Sequence, residues 1–136
     1  NILMPDDKYA YLYKRNYAKM NKYMKDITEE GLDYLIARGL DESDIAKWSI
    51  GFNLETNRIT FPLINQAGVV GFNERRIDDS TDKKYIHSSN SRIFNKSSFL
   101  YGLTFIDRSY KYIYITEGVM DVILATKYGL KNVVCV

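Results

Sequence analysis

Tyr112-Ile113-Tyr114-Ile115-Thr116-Glu117-Gly118-Val119-Met120-Asp121 sets the architecture expected of this 136-residue chain. An alternating apolar strand runs to a glutamate, a glycine turns the backbone, and an aspartate follows four residues later in the first turn of an expected helix. That helix, Val119 to Lys127, offers Val122, Ile123, Ala125 and Thr126 for sheet packing and ends at Gly129. A second strand over Asn132 to Val136 carries the apolar run of a strand covered on both faces. The pattern predicts a parallel, right-handed βαβ unit. Its two carboxylates then lie at the carboxyl end of a strand, where open α/β sheets bind ligands.

Upstream, the periodicity first reads as helix. Over residues 6–25, Tyr9, Tyr13, Tyr17, Met20 and Met24 recur at three- and four-residue spacing and predict one apolar stripe, with Lys8, Lys14, Arg15, Lys19, Lys22 and Lys25 mostly off it. Such a helix either faces a core with a solvated basic side or lies against nucleic acid. A second helix is expected from the N-cap Thr28, with Glu29 and Glu30 at the positive end of its dipole and Leu32, Leu35 and Ile36 as its apolar face. Gly39 suits its left-handed C-terminal position. Asp41 caps a short helix through Ile45 and Trp48, and Ile50-Gly51-Phe52 begins a strand.

From Asn57 the period changes to two. Arg58 to Ile64 and Val69 to Phe72 read as a hairpin joined by Asn65-Gln66-Ala67-Gly68, with Pro62 expected at a sheet edge or bulge. A polar loop spans Asp78 to Asp82, and a short helix is expected over Thr104 to Ser109. Between residues 69 and 100 six basic side chains (Arg75, Arg76, Lys83, Lys84, Arg92, Lys96) face four acidic ones. Five of the six flank loops or strand ends, and Tyr85, Phe94 and Phe99 are interleaved with them. That is the pattern of a groove for a single-stranded polyanion, and equally of a solvated basic rim.

Composition restrains these readings. Net charge is only +2, with 46% hydrophobic and 26% charged residues, so any polyanion site must come from where charges converge. No run approaches the roughly 18 apolar residues of a membrane helix, and nothing at Asn1 to Pro5 has the form of a signal peptide. The single Cys135 sits in an apolar run, a small hydrophobe without an internal disulfide partner, and a reducing cytoplasm is the expected compartment. The absence of an initiator Met and the end within a strand-like run predict a piece of a longer protein.

Glu117 and Asp121 suit magnesium, which takes hard oxygen ligands, keeps several waters, and needs only one or two carboxylates beside substrate phosphates. An E-G-x-x-D pattern arises by chance in about 3% of chains this size, so its setting at a strand-to-helix junction carries the argument. Asp121 also has a purely structural reading as an anion in the first turn of its helix. His87 has no partner histidine and there is one cysteine, so no zinc array is expected.

Taken in order, these segments resemble the catalytic region of bacterial DnaG-type primases, RNA polymerases that lay down primers for DNA replication. Tyr34 to Leu40 with Ile50-Gly51-Phe52 resembles the family's YLxxRGL…IGF segment. Arg58 to Leu63 with Gly68 to Phe72 and Arg75 resembles its FP…GxviGFggR segment. Lys84 to Ser88 resembles PKYlNS, Ile93 to Leu103 resembles iFxKgxxLYGl, and Ile115 to Val122 resembles vvEGymDvi, which opens the Toprim fold shared with topoisomerases. The resemblance covers roughly residues 28–136.

What it implies is an α+β N-terminal lobe followed by a truncated α/β Toprim, its first βαβ unit. The implied division is 1–26, an amphipathic helix or linker; 27–109, the catalytic-core N-terminal subdomain; and 110–136, the Toprim start. Glu117 and Asp121 would be catalytic and hold part of a magnesium or manganese site. Lys84 and Lys96 would meet nucleoside triphosphates. Arg38, Arg75, Arg76 and Arg92 would line a groove for a single-stranded DNA template, meeting phosphates rather than reading bases. A replicative helicase would bind through regions absent here, and no membrane is involved. The chain departs from the pattern in Asn73-Glu74, which puts an acid beside Arg75, in Lys83, and in a short connection from Phe52 to Arg58; these suggest a divergent or mobile-element member. An inactive single-strand-binding module and another Toprim nuclease or topoisomerase are the competing readings.

Overall fold

In a computed structural model, which describes residues 7–78 and 84–136, two small sheets share one core. The expected polar loop is described only as far as Asp78; Asp79 to Lys83 lie outside the described residues. Helices α1 (Ala10–Lys25), α2 (Glu29–Ala37) and α3 (Glu42–Lys47) precede strands β1 (Gly51–Asn53), β2 (Arg58–Asn65), β3 (Gly68–Arg76) and β4 (Tyr85–His87), paired antiparallel in that order. Strand β5 (Tyr114–Thr116), helix α4 (Val119–Lys127) and strand β6 (Val133–Cys135) then form the expected parallel βαβ unit. The fold is thus mixed α and β.

Local chemistry explains most boundaries. The Thr28 hydroxyl accepts from the Gly31 amide, Asp41 and Asp44 form a reciprocal capping box, and Gly39 closes α2 at φ +99°. The Asn65 carboxamide accepts from the amides of Ala67 and Gly68 and so folds the hairpin turn. Pro62 sits in β2 beyond the end of β1, beside a register shift between Leu63 and Ile64. Strand β2 there has a neighbour on one side only, which is where a residue without an N–H is tolerated.

Three expectations change. Helix α1 buries only part of the expected stripe: Met20 is inside and Tyr13 and Met24 pack against the core, but Tyr17 is 59% exposed, and the fully buried line is Leu12, Asn16 and Met20. Asn16 is inside because its Nδ2 donates to the Val69 carbonyl at 3.0 Å, satisfying a backbone group that a hydrocarbon would have orphaned. On α2, Ile36 is exposed, and Gly31 with Leu35 faces the core, since only a glycine fits beside Phe52 and Ile59. The helix expected over Thr104 to Ser109 is a single tight turn, Leu103–Phe105. Beyond it the Asp107 carboxylate accepts from the Ser109 amide and hydroxyl, a local alternative to helical hydrogen bonds.

One cluster runs from Leu35, Phe52, Ile59 and Phe61 through Trp48 and Tyr101 to Val122, Ile123 and Val133. The Trp48 ring stacks on Tyr101 at 5.5 Å and meets Phe105 edge-on at 4.7 Å. Tyr101 also exchanges both backbone hydrogen bonds with Cys135 on the edge of β6. β6 is therefore paired on both sides and fully buried, whereas Tyr114 and Ile115 of β5 are exposed and Thr116 is half-buried.

The tightest contact is at Gly51. A Cβ there would lie 2.4 Å from the Tyr23 carbonyl carbon, so α1 rests directly on the β1 backbone. The Gly51→Ala variant should lose about 3 kcal/mol, the upper part of the overpacking range, because the obstacle is backbone that no rotamer change can move. Urea midpoints test this, with an unchanged midpoint as the contrary result.

Candidate nucleic-acid interface

The period-two geometry of β3 sorts its last residues by face. Asn73 and Arg75 pair with His87 and Tyr85 across β4 and share their face, while Glu74 pairs with Ile86 on the other. Glu74 accepts from the Asn53 carboxamide and, at 2.7 Å, from the Thr56 hydroxyl. The acid adjacent in sequence to Arg75 is therefore turned away from it.

On its own face Arg75 is only 7% exposed. Its Nε donates to the Tyr34 hydroxyl, its Nη1 donates to the Tyr85 hydroxyl at 2.6 Å, and its guanidinium carbon lies 5.7 and 5.1 Å from the two ring centroids. Burial works against the charge, yet the two phenol oxygens outweigh it and hold the guanidinium above its ordinary pKa. One helical turn after Tyr34, Arg38 covers the same ring at 4.7 Å. Beyond Tyr85 the His87 ring follows in parallel at 6.0 Å and 12°, with its Nδ1 2.7 Å from the Asn73 carboxamide oxygen. Burial, and then the Lys96 ammonium, push the His87 imidazole below its ordinary value. Arg38, Tyr34, Arg75, Tyr85 and His87 thus form one alternating cation and aromatic array, drawn from α2, β3 and β4, with Lys96 acting on its far end.

The other basic residues divide. Lys84 is exposed, and its carbonyl accepts from Arg58 Nη1 at 3.0 Å. Arg58 is 3% exposed and fixes the backbone that carries the Lys84 side chain. Arg76 donates from Nε to the Asp78 carbonyl. Arg92 is outside the array; its Nη1 donates to the Tyr9 hydroxyl at 3.4 Å. Phe94 is buried, and Phe99 packs edge-on against it at 5.7 Å, so neither belongs to the array. Arg58 carries a signal the sequence offered, a charge opening an apolar strand; Tyr34 becomes visible only through the register that brings α2 to β3.

Glu117 and Asp121 stand on the second sheet, in the turn from β5 into α4, both exposed. The Thr116 hydroxyl shapes that turn by donating to the Gly118 carbonyl at 3.2 Å. Asp121 lies in the first helical turn, and its charge adds to burial in pushing the Cys135 thiol up to about 11. Among the described residues no three His, Cys, Asp or Glu side chains gather as a metal site. Two exposed carboxylates fit an ion that keeps most of its waters, and do not fit zinc.

Comparison with known proteins gives this arrangement a context. Residues 53–107 match the model of the DNA primase catalytic core, N-terminal domain. A DNA primase of Clostridium acetobutylicum is 34% identical over 122 residues, which cover 82% of this chain and 20% of that protein. The chain thus spans about a fifth of that relative's length. The DnaG primase catalytic domain bound to single-stranded DNA superposes with a TM-score of 0.78 at 25% identity, over 91% of this chain and 52% of that one. The zinc-binding and RNA polymerase domains of Aquifex aeolicus primase share the fold, with a TM-score of 0.86 at 22% identity, over 96% of this chain and 43% of that one. No described helix is long and apolar enough to cross a membrane.

Two outcomes test the array. Tyr34→Phe and Tyr85→Phe should each destabilise the fold by about 1.5 kcal/mol, as hydrogen bonds to a charge do, and the double variant should lose more than the sum because the buried guanidinium is then unpaired. Additive urea midpoints would contradict the enclosed charge. For His87 the folded pKa is below the unfolded value of 6.5, so the fold favours the neutral ring. Its stabilisation is present above that value and lost as pH falls from there through the folded pKa. His87→Asn should therefore flatten part of the fall in stability between about pH 7 and pH 5.5, and an unchanged pH profile would argue otherwise.

Proposed function

Because this chain belongs to the bacterial DnaG-type primase family, we propose that it forms the part of a primase catalytic core that receives the single-stranded DNA template, in an enzyme that joins nucleoside triphosphates into short RNA primers. Residues 27–109 would be the template-binding subdomain, residues 110–136 the start of a Toprim fold, and residues 1–26 the helical segment leading in. The observation that carries this reading is the array itself. Separate segments of the chain converge on one line of alternating charge and ring, which is what a flexible strand with a phosphate and a base at each step requires.

The residues divide the work by exposure. Arg38 and Lys84 are exposed and would meet template phosphates, contacts that position the strand without reading it. Arg75 is buried and would act through its neighbours, holding the Tyr34 and Tyr85 rings and, through them, Arg38 and His87 in place along the path of the strand. Lys84 and Lys96 would also serve the triphosphate of the initiating nucleotide. Arg76, partly exposed beside the groove, would add positive potential. Glu117 and Asp121 would hold a magnesium or manganese ion, which when bound would stabilise the charge of a transferring phosphoryl group. The relative bound to single-stranded DNA supports the template assignment. A binding module without catalysis is the second reading, favoured by a groove assembled from residues within this chain.

Salt-dependent binding separates these roles. Each exposed cation lost from the groove should reduce the slope of log K against log salt for a single-stranded oligonucleotide by about 0.7. Arg38→Ala and Lys84→Ala should do so, whereas Arg75→Ala should lower affinity with little change of slope. An affinity independent of salt would refute the groove. In the complete protein Glu117→Ala and Lys84→Ala should abolish primer synthesis and Tyr17→Ala should leave it intact. Normal dinucleotide formation by Glu117→Ala, with template binding retained, would favour the binding module.

A further inference from the structure

A large open cleft lies away from the array. It encloses about 1110 Å³ at the hairpin end of the first sheet, between the start of α1, the Asn65 to Ala67 turn, and the segments around residues 91–100 and 103–108. Gly68, at this end of β3, lies seven residues from Arg75, so at about 3.3 Å per residue the two places are some 23 Å apart. The cleft therefore serves something other than the contacts proposed for Arg38, Arg75 and Lys84.

Its lining has a definite chemistry. Among the described residues, Arg92 and Arg108 are the only charged ones that line it. The Tyr9 hydroxyl holds Arg92 through a long hydrogen bond, and Arg108 makes no hydrogen bond or ion pair among the described residues. Two guanidinium groups therefore line one concave space whose described lining residues include no carboxylate. Around them stand the rings of Tyr9, Tyr13 and Phe99, and the exposed Gln66 carboxamide sits on the turn. The Tyr13 ring is fixed against Gly68, which has no side chain to displace it. Flat apolar faces, an amide that both donates and accepts, and two unpaired guanidinium forks match a ligand with an aromatic ring, polar ring edges and an oxyanion. The volume exceeds the usual range for a single drug-sized ligand, so a nucleotide would fit with room for a neighbour.

We propose that this cleft is a second nucleotide-binding site, with the base among the rings of Tyr9, Tyr13 and Phe99 and the phosphate on Arg92 and Arg108. It goes beyond the template groove and does not depend on it. A free nucleoside triphosphate and a unit of a single strand present the same chemistry, and binding assays distinguish them.

The test uses the 136-residue chain with two probes, ATP and a 5′-phosphorylated oligothymidylate four residues long, measured by equilibrium dialysis. The double variant R92A/R108A should weaken one probe at least about tenfold, the worth of a lost charge-assisted contact, with the melting temperature unchanged because both arginines are exposed. R92K/R108K should restore part of the binding, since a phosphate accepts a lysine as a point charge. Loss confined to ATP assigns the site to free nucleotides, and loss confined to the oligonucleotide assigns it to the strand. In either case a 4-thiothymidine oligonucleotide or an 8-azido-ATP probe should crosslink to Tyr9 or Tyr13 in the parent chain. Arg38→Ala reports on the template groove separately: it should weaken the oligonucleotide there, while the loss caused by R92A/R108A should be the same in its presence as in its absence. The proposal is overturned if neither probe depends on Arg92 and Arg108, or if a glutamate-rich peptide displaces the probe as well as unlabelled nucleotide does.

Discussion

A charge placed inside a small fold must be answered on every side, and the guanidinium of Arg75 is that charge here. Leaving it in low dielectric without partners would cost several kcal/mol, more than a domain of this size has to spare. Two tyrosine hydroxyls and two ring faces answer it, and they come from α2 and β4. The requirement therefore fixes how the helix lies on the sheet and in which register β4 joins β3. Arg38 and His87 are placed as a consequence, one covering the far face of Tyr34 and the other continuing from Tyr85.

The same pleat explains why an acidic neighbour does no harm. In sequence Glu74 touches Arg75 and looks like an obstacle to any phosphate contact; in the sheet the two project from opposite faces. Glu74 is occupied with Asn53 and Thr56 and helps hold the short connection from β1 to β2. A departure from the family pattern thus becomes a structural element of the other face. Arg58 works in a similar way: buried, it holds the main chain at Lys84, so one arginine positions a lysine it never touches through a side chain.

How much of this was legible beforehand follows the range of the interactions. Caps at Thr28 and Asp41, the Asn65 turn, the left-handed Gly39 and the βαβ unit depend on neighbours within a few residues, and local pattern revealed them. Asn16 was hidden because its partner, the Val69 carbonyl, is 53 residues away. Ile36 and Tyr17 were misplaced because a hydrophobic period cannot show where a glycine lets two elements come together, as Gly31 and Gly51 do. Motif order singled out Arg38, Arg75 and Lys84 as candidates, but not that one of the three is enclosed while the others face solvent. The large cleft was invisible, since its walls come from segments up to about a hundred residues apart that meet only in the folded chain.

The relation between the basic array and the two carboxylates also rests on packing rather than contact. Among the described residues Glu117 and Asp121 form no ion pair with a basic group, yet α4, which begins beside them, is fixed to the first sheet's helices at several points. Lys127 donates to Asp44 at 2.7 Å and to Asp41 at 3.4 Å, and Leu124 lies against Gly39 at the end of α2. Val122 and Ile123 enter the same core as Leu35 and Phe52. An ion pair near the surface adds little stability by itself, but the Lys127–Asp44 pair is half-buried at the rim of a continuous apolar contact and restricts rotation of α4 about its axis. In the proposed phosphoryl-transfer role that restriction would matter more than proximity, since acids on one sheet and cations on another could act on a common substrate only if the two sheets kept one orientation. The shared core around Trp48 and Tyr101 supplies that orientation before any ligand arrives.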